Sequence, residues 1–71
     1  MKKLYFRHSD GSFSYVCGIV NDDLIVSKAL EDLYKRNPNY QSYYQRIWTD
    51  ENGWTWIDVG SWSNFYVVKE E

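Results

Sequence analysis

Residues 43–68, YYQRIWTDENGWTWIDVGSWSNFYVV, decide the fold. Short apolar and aromatic runs are cut there by two turn clusters, Asp50-Glu51-Asn52-Gly53 and Gly60-Ser61-Trp62-Ser63-Asn64. All four tryptophans of the chain, Trp48, Trp54, Trp56 and Trp62, fall inside it. Asn-Gly between alternating apolar residues is a strong short-range hairpin signal. The stretch therefore reads as a three-stranded antiparallel meander that supplies most of the core. Its strands are expected over about 41–49, 54–59 and 65–68. The first sets Tyr43, Gln45, Ile47 and Thr49 against Tyr44, Arg46 and Trp48. The second sets Trp54, Trp56 and Asp58 against Thr55, Ile57 and Val59.

Working outward toward the N-terminus, residues 3–7 form a strand with Leu4, Phe6 and His8 on one face. Ser9-Asp10-Gly11-Ser12 is a second hairpin turn. Residues 13–20 follow as a strand, with Phe13, Tyr15, Cys17 and Ile19 on one side. Gly18 marks a bulge or a close approach by the helix. Asn21-Asp22-Asp23 then opens a helix: short polar side chains accept bonds from its first backbone N–H groups, and negative charge suits its positive end. Leu24, Ile25, Val26, Ala29, Leu30, Leu33 and Tyr34 give a wide apolar stripe. Lys35 and Arg36 sit at the negative end, and Asn37-Pro38 stops the helix. At about 15 residues it is roughly 22 Å long. A rival reading keeps Leu24–Val26 in a strand and starts the helix at Ser27.

The order is β-β-α-β-β-β. It predicts a two-layer α+β domain spanning residues 1–71, an antiparallel sheet of three to five strands with one helix on one face. Leu4, Phe6, Ile19 or Val20, Ile57, Val59, Phe65 and Val67 are expected beneath the helix. The other sheet face has no second helix to cover it.

Composition narrows the possible chemistry. A chain of 71 residues buries only about 60% of the surface that its unfolded form exposes. A single cysteine excludes an internal disulfide, and a single histidine excludes a Cys/His metal cluster. The remaining reinforcement is aromatic: seven Tyr, four Trp and three Phe make up 20% of the residues. Each ring buries roughly 150–250 Å². Net charge −2 argues against a duplex-DNA binder. No apolar run is long enough for a membrane span, and no signal peptide is evident. With one free thiol, this points to the cytoplasm.

No catalytic constellation is visible, and the chain reads as non-enzymatic with no cofactor and no metal. His8 is read as a solvent-facing strand-end histidine and Cys17 as a small buried hydrophobe. Asp22 and Asp23 begin a helix. Asp50 and Glu51 lack the alternating oxygens of a calcium loop. Asp58 interrupts an apolar strand and is either paired across the hairpin with Arg46 or a binding contact. The feature with functional weight is the interleaving of rings with a few charges. The candidate binding surface comprises Tyr44, Arg46, Trp48, Trp54, Trp56, Asp58 and Trp62, on the sheet face away from the helix. Trp, Tyr and Arg dominate protein–protein hot spots. Rings on strands also stack the bases of single-stranded nucleic acids.

Trp56-Ile57-Asp58-Val59-Gly60-Ser61-Trp62 and Phe65-Tyr66 resemble the C-terminal part of small uncharacterised proteins encoded by phages and prophages of Gram-positive bacteria. The likeness covers roughly a third of the chain, carries no catalytic motif and transfers no functional residue. It implies a context: such proteins commonly bind a host or phage protein, including as inhibitors of host defence. The expected partner is a larger host or phage protein, such as a defence nuclease complex. A homodimer that hides the same face is the other protein-level possibility, and single-stranded nucleic acid is the alternative ligand.

Overall fold

The computed structural model describes residues 1–41, 44–60 and 65–70. Tyr43, and Ser61, Trp62, Ser63 and Asn64 where a turn was expected, lie outside the described residues. The strands are β1 (Lys2–Arg7), β2 (Phe13–Ile19), β3 (Arg46–Thr49), β4 (Thr55–Asp58) and β5 (Phe65–Glu70), with helix α1 (Ile25–Arg36) between β2 and β3. The fold class is α+β. The five strands form one antiparallel sheet in the order β2-β1-β5-β4-β3. β5 is thus the middle strand, paired with β1 on one side and β4 on the other.

Both hairpins close in the same way. His8 N–H donates to Ser12 O and Gly11 N–H to His8 O, at 2.8 and 2.9 Å. Asp50 N–H donates to Trp54 O and Gly53 N–H to Asp50 O, at 2.9 and 3.1 Å. Each loop therefore has three residues and ends in a glycine with positive φ, +91° at Gly11 and +82° at Gly53. A side chain there would be strained, which is why each Asp-Gly or Asn-Gly pair sits where it does.

The helix starts at the expected place through a single 3-10 turn, Asp22–Leu24. Asn21 caps it, its side chain accepting the Asp23 N–H at 2.9 Å. Leu24–Val26 is not a strand, so the rival reading of that segment is excluded. Ile25, Ala29 and Leu33 belong to one buried cluster with Leu4, Phe6, Ile19, Ile57, Val59, Tyr66 and Val68. These sheet residues define the inner face.

Three expectations about the strands need correction. First, β2 does not keep one alternation. Leu4 pairs with Cys17 but Tyr5 pairs with Tyr15, so Val16 is an extra residue in the ladder. Beyond this bulge the faces exchange. Cys17 and Ile19 point inward with Leu4, whereas Phe13 and Tyr15 point outward with Tyr5. The bulge lies at Val16 rather than Gly18, whose missing side chain leaves room for Met1. Second, Tyr66 and Val68 face inward, and Phe65 and Val67 face the other way. The register fixes this: Tyr66 pairs with Phe6 and Ile57, while Val67 pairs with Tyr5 and Trp56. Third, β3 begins at Arg46, well after residue 41, and β4 is shorter than 54–59 at both ends.

His8 is half-buried rather than solvent-facing. Its Nε2 lies 2.7 Å from Ser14 Oγ and its ring packs edge-on against Phe6. Deeper in the core, the Tyr66 hydroxyl donates to Asp32 Oδ2 at 2.7 Å. Arg36 donates to the same carboxylate and lies 4.2 Å over the Phe6 ring. This joins helix and sheet by one shared acceptor.

Burial, reinforced by the bond to Asp32, raises the pKa of the Tyr66 phenol above its ordinary value of 10. The unfolded chain then ionises Tyr66 first. Its contribution is complete below about pH 10 and declines as pH rises toward the folded value. Tyr66→Phe should lower stability by about 1 kcal/mol at neutral pH. It should also reduce the loss of stability above pH 10, as read by denaturant unfolding across pH.

Candidate functional site: the open aromatic face

The face away from α1 is built by alternation on all five strands. β1 contributes Lys3, Tyr5 and Arg7; β2 contributes Phe13 and Tyr15. β5 contributes Phe65, Val67 and Lys69, β4 contributes Trp56 and Asp58, and β3 contributes Arg46 and Trp48. Trp54 joins from the hairpin end of β4. The rings touch in series. Tyr5 meets Tyr15 and Phe13 edge-on, with centroids 5.9 and 6.4 Å apart. Phe13 lies 6.5 Å from Trp56, and Trp48 lies 6.4 Å edge-on from Phe65.

This layer is partly a second, shallow core. Val67 is 0% exposed although it stands on the open face. Its cross-strand neighbours Tyr5 and Trp56 flank it. Lys69 lies beside it with Nζ 3.9 Å from the Phe13 ring centroid, 4.3 Å from Trp54 and 5.1 Å from Tyr5. An ammonium over three ring faces is held by their quadrupoles. The rings that remain accessible lie nearer the two edge strands: Tyr15 is 58% exposed, Trp48 41% and Phe13 39%.

The sequence candidates separate into roles. Trp54 and Trp56 are half-buried. Trp56 Nε1–H donates to Asp50 Oδ2 at 2.8 Å, and the Trp54 and Asn52 backbone N–H groups donate to Asp50 Oδ1. Asp58 is 2% exposed and paired. Its Oδ2 accepts from Arg46 Nη2 at 2.9 Å, and its Oδ1 accepts the Gly60 N–H. Arg46 stays largely in solvent and reaches the Trp48 ring at 5.7 Å. Tyr44 is exposed in the segment before β3. Trp62 lies outside the described residues. The structure thus brings Arg46, Trp48, Trp54, Trp56 and Asp58 onto one sheet surface. Sequence reasoning missed Tyr5, Phe13, Tyr15, Phe65 and Lys69. For Phe13 and Tyr15 the signal was hidden by the Val16 bulge.

Charge is unevenly placed. Lys3, Arg7, Arg46 and Lys69 all stand on the open face, four of the chain's eight Lys and Arg residues. Its one strand carboxylate, Asp58, is buried against Arg46. The helix, by contrast, carries Glu31 and Asp32 in ion pairs with Lys28, Lys35 and Arg36. A cavity of about 130 Å³ opens there, lined by Val16, Cys17, Lys28, Glu31, Asp32 and Lys35, and it does not reach the aromatic face. Among the described residues, no group of three or more His, Cys, Asp or Glu stands close enough to hold a metal ion.

The hydrogen bond from Trp56, with the backbone bonds from Trp54 and Asn52, holds the Asp50 carboxyl below its ordinary value of 3.8. A depressed carboxylate contributes stability above the unfolded value, near pH 4, that is lost as pH falls through the folded one. Asp50→Asn should therefore make the acid limb of the stability curve shallower. It should not flatten it, because the Ser12 hydroxyl and amide hold Asp10 down in the same way. Lys69→Met keeps the stem and removes the charge. It should cost about 1–2 kcal/mol and weaken the near-ultraviolet dichroism of the packed rings, while far-ultraviolet signals persist.

No family model, no curated protein and no solved structure matches the chain.

Proposed function

We propose that this protein is a small non-enzymatic interaction module that uses its open aromatic face to cover a site on a larger protein. The observation that carries this reading is the ring layer in two contacting groups, Tyr15–Tyr5–Phe13–Trp56 and Trp48–Phe65, with accessible Tyr15, Phe13 and Trp48 around a half-buried centre and Arg46 beside Trp48. Rigid, pre-packed aromatics lose little entropy on binding, and Tyr, Trp and Arg anchor most interfaces. Lys3 and Arg7 beside the rings, with Arg46 paired to Asp58 and Lys69 held in the ring cage, favour an acidic partner surface. The C-terminal resemblance supports a phage-type role as an inhibitor or accessory factor, acting on a host protein such as a defence nuclease complex inside the host cell. No helix among the described residues is long and apolar enough to cross a membrane.

A second reading rests on the same cations. A single nucleic-acid strand laid across Tyr15, Phe13 and Trp48 would find Lys3, Arg7 and Arg46 at hand for its phosphates.

Affinity capture with the tagged protein from Gram-positive cells, followed by mass spectrometry, tests the first reading. A stoichiometric protein partner should be retained at moderate salt and lost with Tyr15→Ala/Trp48→Ala. A fluorescent single-stranded oligonucleotide tests the second, because its affinity should fall steeply with salt as counterions are released. Steep, salt-sensitive oligonucleotide binding with no protein captured would replace the first reading by the second.

A further inference from the structure

The two edges of the sheet are unlike each other. β2 carries the Val16 bulge, which twists an edge away from strand addition. β3, at the other edge, has no bulge, no proline and no lysine in Arg46–Thr49, and all four of its residues are exposed. Ile47 is 52% exposed and Trp48 41%. Hydrogen-bond parity fixes what this edge presents. Asp50 N–H bonds Trp54 O, so the bonds to β4 continue at alternate residues, Trp48 and Arg46. The N–H and C=O groups of Ile47 and Thr49 therefore point away from the sheet. No described strand pairs with them.

We propose that β3 pairs antiparallel with β3 of a second copy of this chain, across a two-fold axis normal to the sheet. Two-fold pairing must place side chains of the same face opposite each other, so the register centres on either Ile47 or Trp48. Charge selects between them. Centring on Trp48 sets Arg46 opposite Asp50 of the other copy, twice by symmetry, whereas centring on Ile47 sets Arg46 opposite Trp48. In the Trp48 register Ile47 and Thr49 of each copy exchange four backbone hydrogen bonds. The two Trp48 rings meet in the closer, non-hydrogen-bonded position. The result is a ten-stranded sheet whose aromatic faces run on continuously. An edge of four residues buries far less than the roughly 1,200–2,000 Å² of a standard stable interface. The dimer is therefore concentration-dependent, and the open face stays available to the partner proposed above.

Sedimentation velocity over a hundredfold concentration range tests this. The weight-average mass should climb toward twice that of the monomer. Amide hydrogen exchange at Ile47 and Thr49 should slow over the same range, with Trp48 protected throughout. Thr49→Pro removes an outward N–H that β4 does not use, and Ile47→Lys charges the edge without touching the backbone. Either should abolish the mass increase while the far-ultraviolet spectrum is kept. Wild-type protein that stays monomeric throughout, with Ile47 and Thr49 exchanging freely, overturns the proposal and leaves the edge to a strand of another protein. A dimer unaffected by Ile47→Lys and Thr49→Pro overturns it equally.

Discussion

A strand can send each side chain to only one face, and β5 sits where both faces must be filled. It is the middle strand, bonded to β1 and to β4, so it joins the N-terminal hairpin to the C-terminal meander. Tyr66 and Val68 point into the cluster shared with α1, while Val67 and Lys69 point to the side that α1 does not reach. Tyr66, Val67 and Val68 are all buried. Burying Val67 with only one helix available requires another cover, and the aromatic layer is that cover. Tyr5, Phe13, Trp54 and Trp56 lie over or beside β5 because neighbouring strands deliver them there. Lys69 lies among the same rings with its charge on their faces.

This constraint links fold to function. A domain this small has little apolar area to spare, yet it places large rings on a surface rather than beneath a helix. The centre of that layer supports the fold, and its rim is the accessible part that a partner would touch. The same placement sorts charge. Lysines and arginines cover aromatic surface with their stems while their heads reach water, so Lys3, Arg7 and Arg46 suit the open face. The helix acids form their own ion pairs elsewhere. The formal charge of −2 therefore hides a face that carries four of the eight Lys and Arg residues.

Local chemistry made much of this readable in the sequence. Gly11 and Gly53 mark the two turns because their positive φ excludes other residues. Asn21 and Pro38 bracket the helix because one accepts free N–H groups and the other cannot continue it. The Arg46–Asp58 pair was one of two readings open for a charge in an apolar strand, and the burial of Asp58 decides for it. Three features were not readable. Phe65-Tyr66-Val67-Val68 is apolar at every position, so its period carries no face, and only the pairing with Phe6 and Ile57 decides it. Gly18 points to a bulge two residues from its actual place at Val16, so the exchange that carried Phe13 and Tyr15 to the open face went unseen. The cage around Lys69 brings together Tyr5, Phe13 and Trp54 from three parts of the chain, and such a meeting exists only once β5 takes the middle of the sheet.

The central claim is that the sheet is buried on both sides of β5, with Val67 sealed by rings. Nuclear Overhauser spectroscopy of the Val67 methyl groups addresses it directly. The account predicts methyl signals shifted strongly upfield by ring currents, with cross-peaks to the Tyr5 and Trp56 rings and none to Ile25, Ala29 or Leu33. Methyl signals near their random-coil positions, or cross-peaks from Val67 to the helix residues, would contradict it.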